Sequence, residues 1–130
     1  MSNNEKIKLT LPINAAYVSA ARLTASSVSN RLKFDIEEIE DIKVAVSEAC
    51  SYIIKKYYDE ENDDFKIEFD LSDEAIKITL EVENSKIDLA DMEDMSMQVI
   101  SAITDELNFN YENNTFKMTM LKKHIQTSFE

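Results

Sequence analysis

The segment Asp35–Tyr58, "DIEEIEDIKVAVSEACSYIIKKYY", decides the fold. Asp35 can cap a helix, and Glu38, three residues on, can reach back to it as in a capping box. Behind that start, Ile36, Ile39, Ile42 (or Lys43), Val46, Ala49, Cys50 and Ile53 recur at helical spacing. The spacing predicts one long amphipathic helix ending near Tyr57. Lys55 and Lys56 then fall at the negative end of its dipole. Glu48 lies one position off the apolar stripe, so it can border a crevice under the helix or sit on the surface as an ordinary carboxylate.

Toward the N-terminus, Lys6–Leu11 alternate as a half-buried strand, with Ile7, Leu9 and Leu11 on one face and Pro12 as its stop. Asn14 caps a further helix through "AAYVSAARLTASSVSNRL", whose inward stripe is Val18, Ala21, Ala25, Val28 and Leu32. Toward the C-terminus, the acidic run Asp59–Asp64 lacks the central glycine and spacing of a calcium loop. Two strands follow, with Phe65, Ile67, Phe69 and Leu71 inward in one and Ile76, Ile78, Leu80 and Val82 inward in the other. Ser72–Glu74 is the turn between them.

A third helix is expected within Asp91–Leu107, with Met95, Val99, Ala102 or Ile103, and Leu107 on its inner side. A closing hairpin sets Phe109 and Tyr111 against Phe116, Met118 and Met120 across "ENNT", where asparagine can take the left-handed backbone. The alternate strand positions (Lys66, Glu68, Asp70, Lys77, Thr79, Glu81, Glu83, Lys117, Thr119) are polar. A sheet with one polar and one apolar face is antiparallel and covered on one side only. The expected fold is α+β, a two-layer sandwich of a mostly antiparallel sheet with three helices on one face. It reads as a single domain over 1–130, with its core in about 6–125.

Composition narrows the function classes. Fourteen Lys and Arg against 26 Asp and Glu give a net charge of -12, which repels nucleic-acid phosphates and anionic lipid. No apolar run approaches the roughly 20 residues that span a bilayer, and the start "MSNNEKIK" is polar. A cytoplasmic location is therefore expected. One cysteine, Cys50, precludes an intrachain disulfide, and it falls on a buried stripe as a small core residue. One histidine, His124, builds no triad or metal cluster and is expected on the surface. Met118 and Met120 read as core; Met92, Met95 and Met97 fit either core or an adaptable binding surface. There is no glycine in the chain, which excludes a P-loop and a GxGxxG turn.

Three phrases carry a resemblance: "YVSAARLTASSVSNRL" (Tyr17–Leu32), "IEEIEDIKVAVSEAC" (Ile36–Cys50) and "FKMTMLKKHI" (Phe116–Ile125). Together they resemble the anti-sigma-factor serine kinases of the RsbW and SpoIIAB type, within the GHKL ATPase superfamily that includes histidine kinases and gyrase. The similarity runs from about Ile7 to Ile125. It implies the Bergerat-type sandwich already reached from periodicity. It also implies a protein that binds a sigma factor and a small anti-anti-sigma (STAS) antagonist, phosphorylating the latter on serine with Mg-ATP.

Measured against that family, the nucleotide motifs are degraded. Glu48 matches the catalytic glutamate, but Tyr52 stands where an asparagine would bind magnesium, and a neutral phenol is a poor magnesium ligand. The D-x-G-x-G motif becomes "ENSKID": Glu83 replaces the adenine-reading aspartate, while Ser85 and Ile87 replace the glycines. The glycine-rich lid is mostly missing. A non-glycine residue in a left-handed backbone costs roughly 1–2 kcal/mol and a lost charge-assisted contact roughly 1.5–3 kcal/mol. Three or four such losses, about 5–8 kcal/mol, would abolish a micromolar site, since each 1.4 kcal/mol is about tenfold. The resemblance thus implies an anti-sigma-like binding protein with no cofactor, no metal and no catalytic residue, Arg22 in "AARLTASS" contacting the partner. Its alternative is a divergent serine kinase that still uses Glu48 and Mg-ATP. A homodimer is compatible with either.

Overall fold

The computed structural model describes residues 4–58, 64–85 and 94–124. Its strands are β1 (Glu5–Pro12), β2 (Asp64–Leu71), β3 (Ala75–Val82), β4 (Glu106–Glu112) and β5 (Thr115–Lys123). Its helices are α1 (Val18–Ser29), α2 (Ile36–Tyr57) and α3 (Met95–Ile103). The strands form one sheet in the order β1-β2-β3-β5-β4, and every neighbouring pair is antiparallel. The acidic run expected as a loop lies, but for Asp64, outside the described residues, as does the shortened lid region with Ile87 and Met92.

Alternation sets which side of the sheet is dry. Phe65, Ile67, Phe69 and Leu71 of β2, Ile76, Ile78, Leu80 and Val82 of β3, and Phe116, Met118 and Met120 of β5 are all buried. The helices cover this face, with α2 packed between α1 and α3. Burial of each large aliphatic or aromatic side chain contributes about 1.5–3 kcal/mol. No described helix is long and apolar enough to cross a membrane.

The local signals act as expected at several termini. Asn14 Oδ1 accepts from the Ala16 N–H at 2.9 Å, though it starts a single 3-10 turn (Ala15–Tyr17) before α1 proper. At α2, Asp35 Oδ1 accepts from the Glu38 N–H and Glu38 Oε1 from the Asp35 N–H, each at 2.8 Å, completing the capping box. In a chain without glycine, asparagine supplies the left-handed positions: Asn84, Asn113 and Asn114 have φ of 56°, 53° and 59°. The last two make the tight turn between β4 and β5.

Four expectations are corrected. Ile36, in the first turn of α2, is 81 % exposed, and the buried positions of the helix begin only at Glu38. Buried positions on α2 include Ala45, Tyr52 and Tyr57, a wider face than the sequence stripe, because α2 has a helix on each side as well as the sheet beneath. In α3, Met97 and Ile100 are the buried residues, while Met95 is exposed and Leu107 belongs to β4. The Asp94 cap fixes that phase, and Thr104 turns extended (ψ 165°) to end the helix. His124 is part-buried rather than a plain surface residue. β5 carries it to the start of α2, where Nδ1 lies 3.0 Å from Glu38 Oε1 and the ring meets Phe34 edge-on at 5.4 Å.

Candidate functional site

The residues marked by the sequence fall in four places. Glu48 and Tyr52 stand one turn apart on α2. Glu48 is half-buried and has no hydrogen bond or ion pair among the described residues. Tyr52 is fully buried beneath it, with Lys56 Nζ 5.6 Å from the ring centre. Such a placement lets the ammonium spread over the aromatic face while its stem covers the ring.

Ser85 follows β3 and is joined to three other elements. Its N–H donates to the Asn114 carbonyl at 2.7 Å, and its own carbonyl accepts from the Tyr111 hydroxyl at 2.8 Å. Its Oγ lies 2.9 Å from the Tyr57 hydroxyl, with both residues buried. The left-handed Asn84 turns the chain into this position. Tyr57 packs its ring on Phe116 at 6.1 Å, so an aromatic wall backs the polar contacts. Sequence reasoning singled out Ser85 but missed Tyr57, Tyr111 and Asn114 as its partners. The only signal for the two tyrosines was the phenol, which needs a partner when buried, and Asn114 gave none because its main-chain carbonyl makes the contact.

Glu83 does not join them. It is exposed and forms an ion pair with Lys66 at 3.0 Å. The hydrogen bond and charge of Glu83 raise the Lys66 ammonium above its ordinary value, Glu81 and Asp64 adding to the shift and desolvation opposing it. A depression of about 520 Å³, lined by Lys77, Glu106, Asn108, Asn110, Lys117 and Thr119, also lies on the polar side of the sheet, away from Glu48 and Tyr52. No group of three or more metal-ligating side chains occurs among the described residues.

Both ends of α3 are pinned beside this region. Asp94 Oδ1 caps the helix through the Ser96 N–H at 2.8 Å, and its Oδ2 pairs with Lys55 of α2 at 3.2 Å. Burial pushes the Asp94 carboxyl up, but the Lys55 hydrogen bond, the Ser96 N–H and the Lys55 and Lys56 charges together hold it below its ordinary value. At the other end, Lys122 Nζ donates to the Ile103 carbonyl at 2.8 Å and to Asp41 Oδ2 at 3.1 Å. That lysine caps α3 and ties it to α2 and β5 at once.

Arg22 lies apart, exposed on α1 beside Leu23, itself 67 % exposed. Cys50 is buried as expected, and burial pushes its thiol up to about 12.

Comparison with known proteins places this arrangement. Residues 11–122 match the histidine kinase-like ATPase domain model. Over 78 residues the chain is 40% identical to the serine-protein kinases RsbW of Bacillus cereus (strain B4264) and Bacillus thuringiensis (strain Al Hakam), covering 60% of this chain and 49% of each relative. The chain thus spans about half the length of the curated relatives it matches. A crystal structure of RsbU and RsbW domains from Mycobacterium tuberculosis superposes with a TM-score of 0.74 at 13% identity, covering 97% of this chain and 34% of that one, which is a likeness of fold. The chain belongs to the histidine kinase-like ATPase domain family.

Proposed function

We propose that this chain acts by binding alone, as an anti-sigma-like regulator that captures a sigma factor or an anti-anti-sigma (STAS) antagonist without using ATP. The observation that carries this reading is the state of Ser85, at the position of the family's first motif glycine. Its N–H, carbonyl and hydroxyl are engaged by Asn114, Tyr111 and Tyr57. A nucleotide base approaching there would have to displace buried hydrogen bonds, each broken one costing about 1–3 kcal/mol. Tyr52 supports the same reading, since a buried phenol offers magnesium no charged oxygen. Glu83, turned to Lys66 on the polar side, is not aimed at an adenine amino group. These residues do not fit Mg-ATP.

Arg22 and the exposed Leu23 are the partner-contacting pair in this reading, a cation beside an apolar anchor on one helix. Pull-down without nucleotide tests it. The wild-type chain should capture a sigma factor or STAS protein, and Arg22→Glu should weaken capture at least tenfold; unchanged capture by that variant removes Arg22 from the interface.

One observation favours a second reading, a divergent kinase: Glu48 is half-exposed and unengaged, as a base would be, and the relatives are named serine-protein kinases. Phosphate transfer from ATP to a STAS protein, lost in Glu48→Gln, would establish that reading over binding alone.

A further inference from the structure

β4 is an end strand and pairs with β5 alone among the described residues. The two edges of the sheet are defended differently. β1 exposes Lys6 and Lys8 and ends on Pro12, which has no N–H to offer. β4, Glu-Leu-Asn-Phe-Asn-Tyr-Glu, has neither lysine nor proline, and its register with β5 runs one to one from Glu106 to Glu112.

The tight turn at Asn113–Asn114 closes on Glu112 and Thr115, whose main-chain groups face each other across the hairpin. By alternation, Leu107, Phe109 and Tyr111 direct their N–H and C=O outward, along the free edge. Their side chains point to the apolar face but are only partly buried. An added strand would therefore find main-chain partners and apolar surface at the same three residues.

Charge decides what that strand is. Glu106 and Glu112, at the two ends of β4, are exposed and have no ion pair among the described residues. Were a second copy to pair antiparallel about Phe109, each Glu106 would face a Glu112 of the other copy, and like charges directly opposite are destabilising. A net charge of -12 adds to that repulsion. We infer that the β4 edge is a docking site for an extended partner segment with a basic residue at each end and apolar residues opposite Leu107, Phe109 and Tyr111. Binding is by strand addition: main-chain bonds supply affinity, and the two glutamates select the basic ends.

A capped peptide Lys-Val-Thr-Val-Thr-Val-Lys, matched in length to the 7 residues of β4, tests this against an analogue ending in Glu. The lysine-ended peptide should bind and slow amide hydrogen exchange at Leu107, Phe109 and Tyr111, with the glutamate-ended one about tenfold weaker. The double variant Glu106→Lys, Glu112→Lys should reverse that order. N-methylation of the peptide amides that face β4 should abolish binding, and methylation of the alternate ones should not. The inference is overturned if the lysine-ended peptide fails to bind, if charge reversal leaves the order unchanged, or if the free protein self-associates with those three amides already protected.

Discussion

The hydroxyls of Tyr57 and Ser85 lie 2.9 Å apart in the core, joining the last turn of α2 to the residue that follows β3. Neither side chain is open to water, so neither group has bulk solvent to replace the other. In the binding-only reading proposed above, this contact fills the position of the motif's first glycine.

Removing one hydroxyl should break the buried contact between Tyr57 and Ser85. Tyr57→Phe and Ser85→Ala should each cost about 1–3 kcal/mol. The double variant should lose less than the two singles combined, because the shared contact can be lost only once. Urea unfolding of the four proteins measures this, and additive losses would mean the two hydroxyls are not coupled.

Lys122 is worth more than a surface lysine. Its side chain is 14% exposed and its ammonium serves both Asp41 and the Ile103 carbonyl, whereas Lys43 and Glu40 make an exposed pair one turn apart. Lys122→Met should destabilise the fold by about 1.5–3 kcal/mol, and Lys43→Met by less than about 1 kcal/mol. Hydrogen exchange should also speed up in α3 for the first variant only.

Cys50 should resist thiol reagents in the folded protein and react only on unfolding, since the thiolate is the nucleophile. Its folded value of about 12 lies above the ordinary 9.0, so the unfolded chain loses the proton first as pH rises. The stability this provides is complete below about pH 9 and is lost progressively toward pH 12. Comparing wild type with Cys50→Ala over that range should give a steeper alkaline loss for wild type. Equal slopes, or rapid labelling of the native thiol, would contradict this burial.

What was legible in the sequence was what local chemistry encodes. The strands declared themselves by alternation and α2 by its capping box. The left-handed turn was marked by Asn113 and Asn114. The third helix was less legible, since Met95, Val99 and Leu107 keep a helical spacing that the Asp94 cap and the Thr104 stop override. Contacts between distant residues were not legible at all. Glu38 and His124 meet across 86 positions, Asp41 and Lys122 across 81, and Ser85 and Tyr111 across 26. Each depends on which strands are neighbours, and that order is not written in any local window. Tyr52 shows the division well: the resemblance marked its position as significant, while its complete burial required the fold.

Thermal unfolding with and without millimolar Mg-ATP or Mg-ADP tests the central reading most directly. A ligand at 100 times its Kd would add about 2.7 kcal/mol and raise the midpoint by several degrees. Binding without nucleotide requires an unchanged midpoint in both, for wild type and for Glu48→Gln alike. A clear upward shift in wild type would contradict it and make Ser85, Tyr52 and Glu48 the walls of a working nucleotide site.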